Sequence, residues 1–137
     1  MNKNREAFGI LFIRLLLGII LFMQGYGKVF TFGLEAVSGF FTPYKEMLPS
    51  FLVDFTFYFT TFGEFIFGLT IMLGLFRNIS YLSVALILIL VSFGHGLQDV
   101  VWDMQHVMYR AILLIPLFFF SIEKDKFALD NLLFKNK

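Results

Sequence analysis

The chain has 137 residues, of which 58% are hydrophobic and 15% charged, with a formal net charge of +1. Soluble domains average about 45–50% apolar and about 25% charged residues, and a small soluble fold cannot hide such an excess of apolar side chains. A soluble globular protein and a disordered chain are therefore poor interpretations. The small net charge also argues against a nucleic-acid partner. The sequence contains no cysteine, which excludes disulfides, thiol chemistry and Cys-ligated metal centres.

Four apolar runs predict four transmembrane helices, because a helix needs about 20 residues to cross the hydrocarbon core. Only a polar cluster divides the last two runs, but one helix through both would be about 66 Å long, twice the core thickness. A turn is therefore expected near Gln98, Asp99 and Asp103, with Trp102 as an interfacial anchor. The prediction is an all-α membrane protein, a four-transmembrane-helix bundle forming one integral membrane domain over residues 1–137. The expected spans are about 7–29, 51–76, 79–97 and 104–122, followed by a cytoplasmic C-terminal tail at 123–137.

The segment between the first two predicted spans, residues 31–50, has a mixed character. It contains glycines, prolines and charges, with apolar residues between them at helical spacing. One interpretation is a short amphipathic helix at the membrane interface that ends in a proline-bounded turn. The alternative is a plain extramembrane loop. The apolar residues in question are Leu34, Val37, Phe40 and Phe41.

Lysine and arginine in the short flanks predict the orientation, since cytoplasmic loops carry an excess of them. The N-terminus, the link between the second and third spans, and the C-terminal tail are basic, whereas the opposite side has few basic residues diluted by acidic ones. We therefore expect a multi-pass protein of the bacterial inner membrane, with both termini in the cytoplasm. The basic residues on the cytoplasmic side are Lys3, Arg5, Arg77, Lys124, Lys126, Lys135 and Lys137.

Each predicted span carries one stripe of polar or small residues at spacings of three or four, which places the members of a stripe on one helix face. Four such stripes favour a shared bundle axis, and the glycines at 18, 25 and 68 permit close helix approach. The stripes are Arg14, Gly18, Leu21, Gly25 and Lys28; Thr60, Glu64, Gly68 and Ile71; Ser92, His95 and Asp99; and Asp103, His106 and Arg110.

The depth of each residue places most of these polar groups in the outer half of the bundle. Arg14 stands apart, nearer the cytoplasmic face, where it is expected to snorkel toward lipid phosphates or reach a helix C-terminus. Ionisable residues inside a membrane are functional candidates by default, because each is costly to insert. The candidate pocket residues are Gln24, Lys28, Glu64, His95, Asp99, His106 and Arg110.

Several chemistries are open to this set. The structural interpretation is that Glu64 pairs with Arg110 or Lys28 only to fix the helix packing. A quinone pocket is the second interpretation, in which Arg110 or His95 donates to a carbonyl oxygen and Glu64 handles the proton. A haem held by His95 and His106 is a weaker interpretation, since two histidines at no fixed spacing carry little information. A zinc site would need Asp99 as a third ligand, and nothing in the spacing requires it, so no metal is assigned. A transport path lined by Glu64 is a further alternative. Four short helices without internal repeats are, however, fewer than transporter folds usually contain.

The motifs of the first two spans resemble the DoxX family of small four-helix bacterial membrane proteins. The first span opens with Arg14 and closes with Gly25-x-x-Lys28, and the second contains Glu64 ahead of Gly68 and Gly74. The resemblance covers roughly the first three spans and does not extend to the histidine-containing hairpin from His95 to Arg110. It implies a membrane partner of oxidoreductases, because the family takes its name from a subunit of a thiosulfate:quinone oxidoreductase.

Together these observations predict a membrane subunit or anchor of a quinone-linked oxidoreductase, with a polar pocket in the outer half of the bundle. The rival hypothesis is a non-catalytic assembly or interaction protein whose polar residues only fix helix packing. The sequence has no self-contained catalytic motif. The expected partners are the lipid bilayer and either an oxidoreductase subunit or a second copy of the chain.

Overall fold

The computed structural model describes residues 3–98, 105–120 and 122–134, and these ranges contain helices and no strand. Three long helices and a shorter one account for most of the chain. The first helix continues into one turn of π-helix at Gly27–Thr31, and two 3₁₀ turns occupy Thr42–Glu46 and Ile122–Lys124. The α-helices are α1 (Lys3–Tyr26), α2 (Leu34–Gly39), α3 (Ser50–Leu73), α4 (Arg77–Gln98), α5 (Gln105–Phe119) and α6 (Asp130–Leu133).

Three segments are long and apolar enough to cross a membrane: Lys3–Thr31, Ser50–Leu73 and Arg77–Gln98. The helix α5 is also apolar but has 15 described residues, and the predicted start of its span at 104 lies outside the described ranges. Large apolar side chains stay exposed along these helices, among them Phe12 at 65% and Ile89 at 65%. Exposed apolar surface on this scale is what a lipid bilayer covers.

The four longer helices pack side by side. The helix α1 contacts α3 and α5, and α4 contacts the same two neighbours. The closest approach is between α1 and α3, where a Cβ added at Gly25 would collide with the backbone of Phe65, and one added at Gly68 with the backbone of Phe22. The prediction that these glycines allow close packing is therefore confirmed. Close backbone approach is the usual source of helix association inside a membrane.

The link between α3 and α4 lies earlier in the chain than the sequence indicated, at residues 74–76. The helix α3 ends at Leu73, short of the expected boundary at residue 76, because Gly74 adopts the left-handed conformation with φ +69°. Phe76 also has a positive φ of 47°. Its backbone N–H donates to Asp130 Oδ1 at 2.9 Å, so a residue of the C-terminal segment holds this strained turn.

The segment between α1 and α3 forms two short helical pieces. The helix α2 buries Val37 but leaves Phe40 74% exposed, so the expected apolar face is only partly covered by the rest of the protein. The chain then tightens into the 3₁₀ turn at Thr42–Glu46, where Pro43 occupies the first turn and needs no hydrogen-bond acceptor. This turn lies against α3 and α4.

Residues 122–134 fold back across the end of the helices where α1 begins. The backbone N–H of Leu129 donates to the carbonyl oxygen of Leu73 at 3.1 Å, and that of Asp130 donates to Gly74 at 3.1 Å. Lys124 Nζ lies 2.6 Å from Glu6 Oε1, which ties the same segment to the start of α1. The C-terminal segment is thus part of the packed structure.

Candidate functional site

Glu64 is the centre of a buried charge cluster near the middle of α3. Its side chain is 2% exposed, and its two oxygens face different cations. Lys28 Nζ, from the π-helical turn after α1, donates to Oε2 at 2.6 Å. Arg110 Nη1, from α5, lies 3.5 Å from Oε1, and its side chain is 5% exposed. A single carboxylate is therefore shared by cations from two other helices.

A cavity of about 500 Å³ opens beside this cluster. We call it the Glu64 cavity. The structure brings six of the seven predicted pocket residues to its wall, and the seventh, Asp99, lies outside the described residues. The six are Gln24, Lys28, Glu64, His95, His106 and Arg110. These side chains come from α1 and its π-helical extension, α3, α4 and α5. Each of the four predicted polar stripes therefore contributes at least one residue to the wall.

The two histidines, His95 and His106, both line the Glu64 cavity and contact each other. Their ring centroids are 5.0 Å apart and the ring planes are inclined by 73°, an edge-to-face arrangement. Within the described ranges no group of three His, Cys, Asp or Glu side chains is placed to hold a metal ion. The zinc interpretation also required Asp99, which falls outside those ranges.

Gln24 contributes an unsatisfied acceptor to the cavity wall. Its side-chain oxygen is buried and has no hydrogen-bond donor among the described residues. An unpaired buried acceptor costs about 1–3 kcal/mol, and a hydroxyl or amine of a bound molecule would recover part of that cost. The wall therefore offers donors from Lys28 and Arg110 together with acceptors from Gln24 and Glu64.

A second group of buried charges lies at the opposite end of the helices. We call Arg14, Arg77, Asp125 and Asp130 the Arg14 cluster. Arg14 Nε lies 3.2 Å from Asp125 Oδ2, and Arg77 Nη1 lies 3.4 Å from the same oxygen. Both pairs are within ion-pairing distance, although neither meets hydrogen-bond geometry. Asp130 Oδ2 lies 3.2 Å from Arg77 Nε.

The structure decides between the two positions expected for Arg14. Its side chain is 1% exposed, so it does not extend to lipid phosphates, and its Nη2 donates to the carbonyl oxygen of Phe127 at 3.3 Å. Its Nη1 lies against Gly74, the residue that ends α3, so the expectation that Arg14 reaches a helix C-terminus is confirmed. Asp125 falls in the predicted cytoplasmic tail at 123–137, where no periodicity pointed to its burial beside Arg14. The cavity next to Asp125 is only about 10 Å³, room for at most about one water molecule, whereas a groove of about 720 Å³ runs along Arg77 and Asp130.

Comparison with known proteins bears on the family of the chain. A family model described as DoxX matches residues 9–96, which is more than half of the chain. The matched range contains Gln24, Lys28, Glu64 and His95 but ends before His106 and Arg110. No curated protein and no solved structure matches the chain.

Proposed function

The chain belongs to the DoxX family, and from that premise we propose that it is the membrane subunit or anchor of a quinone-linked oxidoreductase. Family membership and the apolar helices support an integral membrane protein in contact with the lipid bilayer. In the proposal, the quinone head group occupies the Glu64 cavity. A partner subunit supplies the electrons, because this chain has no cysteine to carry them.

The observation that carries the proposal is the open space beside Glu64. A carboxylate paired with Lys28 and Arg110 could fix the helices without any cavity, as tightly packed ion pairs do. Here about 500 Å³ adjoins the pairs, which falls in the range of small-molecule pockets. Buried charges that face a cavity support binding in addition to packing.

The cavity wall suits both redox forms of a quinone. Arg110 and Lys28 can donate hydrogen bonds to carbonyl oxygens, and the acceptor of Gln24 can receive a quinol hydroxyl. Reduction of a quinone consumes two electrons and two protons. Glu64, a carboxylate paired with both cations, is the residue proposed to relay the protons. For each of the two, it takes up a proton from water in the cavity and passes it to a reduced quinone oxygen, which restores the carboxylate.

The proposal includes a four-helix bundle with four transmembrane spans, formed by α1, α3, α4 and α5 as one domain over residues 1–137. The segment 31–50 lies at the membrane interface, and the Glu64 cavity lies in the outer half. The start of α1, the link at Arg77 and residues 122–134 lie at one end of the helices. That end is rich in lysine and arginine, which supports cytoplasmic termini in a bacterial inner membrane.

Quinone binding by purified protein tests the proposal. We expect Glu64→Gln and Arg110→Leu each to weaken binding of a benzoquinone by about tenfold or more, because a buried charged hydrogen bond is lost. Asp54→Asn is the matched control, since Asp54 is a 51% exposed carboxylate paired with Lys45. Unchanged binding in folded Glu64→Gln protein would overturn the proposal.

A non-catalytic assembly protein is the second candidate, and the short contact between Lys28 and Glu64 favours it. On this hypothesis the same substitutions lower the unfolding free energy but change no ligand binding. The haem interpretation is tested separately by the visible spectrum of protein expressed with haem in excess. The lack of a Soret band would remove it.

A further inference from the structure

A second cavity adjoins the Glu64 cavity, but its wall is apolar where that of the Glu64 cavity is polar. It measures about 170 Å³ and lies between the 3₁₀ turn at Thr42–Glu46, α3 and α4. We call it the apolar slot. Its wall is largely hydrocarbon, and the hydroxyl of Thr60 is turned away to the carbonyl oxygen of Thr56 at 2.8 Å. The apolar residues used below are Phe41, Leu52, Leu90, Phe93 and Gly94.

The two cavities share part of their walls. Val91 and His95 line both of them, so a molecule in the Glu64 cavity lies directly beside the slot. At the other side of the slot, Phe93 is 59% exposed and Leu52 is 40% exposed, on surface that lipid would cover. The slot therefore lies between the polar wall and the apolar exterior, beside α3 and α4.

We propose that the apolar slot holds the hydrocarbon chain of the molecule whose polar head occupies the Glu64 cavity. The ligand class is a single-chain amphiphile, and this inference rests on the proposed function in taking its head as a quinone. A polar head fits a wall of donors and acceptors, whereas a dry apolar cavity favours a hydrocarbon group over water. A chain longer than the slot continues between Phe93 and Leu52 into lipid.

The hydrocarbon chain prefers the slot to the surrounding lipid because the slot matches its shape. Lipid tails are as apolar as the slot wall, so transfer of the chain from lipid gains little by the hydrophobic effect. Close packing against side chains such as Phe41 and Leu90 and a fixed exit beside the head supply the preference. When the slot is filled, the chain loses this apolar site next to a bound head.

The test compares two probes in nanodiscs: a dimethoxy-methyl-benzoquinone with a linear alkyl chain, and the same ring without the chain. The filling variant is Gly94→Phe, since a Cβ at Gly94 meets only ordinary contacts with Tyr44 at 3.6 Å or more, and a larger side chain enters the slot. We expect the affinity for the chain-bearing probe to fall by about tenfold and that for the chainless probe to change by about twofold at most, because only packing of the chain is lost.

Gly39→Phe is the matched control, because Gly39 is exposed and a Cβ there meets nothing within 4 Å. Leu52→Trp is a second filling variant, to be used if Gly94→Phe does not fold. In the native protein, a chain-borne diazirine should label residues 48–56 and 90–97, and a filling variant should lose that labelling.

The outcomes separate the two proposals. If neither probe binds the native protein, the proposed function and this inference both fail. If both probes bind and the filling variants affect them equally, the head site stands and the slot is not the chain site. Labelling confined to residues outside 48–56 and 90–97 would likewise overturn the inference while leaving the proposed function intact.

Discussion

The Glu64 cavity and the Arg14 cluster both bury charged side chains, at opposite ends of the same helices, yet they differ in the space around the shared carboxylate. About 500 Å³ opens beside Glu64, against about 10 Å³ beside Asp125, and a groove of about 720 Å³ reaches the Arg14 cluster only at Arg77 and Asp130. The charges differ as well. Glu64 faces two cations among the described residues, whereas the Arg14 cluster balances two arginines with two aspartates.

The difference indicates which buried charges hold the protein together and which remain available to a ligand. In the Arg14 cluster, backbone carbonyl oxygens of Phe127 and Ile122 accept from the arginines, so the cations are already surrounded by protein. In the Glu64 cavity, Lys28 keeps 30% of its side chain exposed and Gln24 has an unsatisfied oxygen. Three substitutions examine this division, beginning with the largest expected effect.

Asp125→Asn should cause the largest loss of stability. It leaves Arg14 and Arg77 buried without their shared counter-ion, a situation that costs about 3–5 kcal/mol. The free energy of unfolding in mixed micelles of mild detergent and SDS measures the effect. Glu123→Gln is the control, because Glu123 is an exposed carboxylate two residues away. Equal stability of the two variants would contradict a locking role for the Arg14 cluster.

Asp130→Ala should cost about 2 kcal/mol, since Asp130 accepts from the backbone N–H groups of Phe76 and Arg77 at the start of α4. Amide exchange at those two residues should accelerate along with the loss of stability. Asp54→Ala, which breaks an exposed ion pair with Lys45, should cost less than about 1 kcal/mol. Similar losses in both variants would show that the hydrogen bonds of Asp130 contribute no more than a surface contact.

Lys28→Met should have the smallest effect on stability and a clear effect on binding. Glu64 keeps Arg110, and the cavity gives the remaining charges room for water, so the expected stability loss is about 1 kcal/mol. The affinity for a quinone should nevertheless fall by about tenfold, the value of one charged hydrogen bond. Lys45→Met is the control. A large stability loss with unchanged affinity would place the Glu64 cavity in the same structural class as the Arg14 cluster.

Helical periodicity was sufficient to predict most of the candidate site. Glu64 and Arg110 lie on separate stripes in the outer half of the predicted bundle, and their pairing was one of the two ion pairs expected for Glu64. The same reasoning placed Gly25 and Gly68 at a close helix contact. These predictions hold because side chains on a regular helix have fixed directions, so spacing alone defines a face.

The Arg14 cluster and the apolar slot could not be predicted in this way. Asp125 lies in the predicted cytoplasmic tail, after the last long helix, where no period relates it to Arg14. The slot exists because the 3₁₀ turn at Thr42–Glu46 packs against α3 and α4. Both features depend on irregular segments, and tertiary contacts set the positions of these segments. Hydropathy and residue spacing do not predict such contacts.

The burial of Arg14 also constrains how the protein is made. Phe127, whose carbonyl oxygen accepts from Arg14, follows it in the chain by 113 residues. At about 5–20 residues per second, synthesis delivers that partner roughly 6–23 s after Arg14 itself. During this interval the first helix carries a cation without its final hydrogen-bond acceptor. The guanidinium therefore depends on water or lipid phosphates until residues 122–134 have been made.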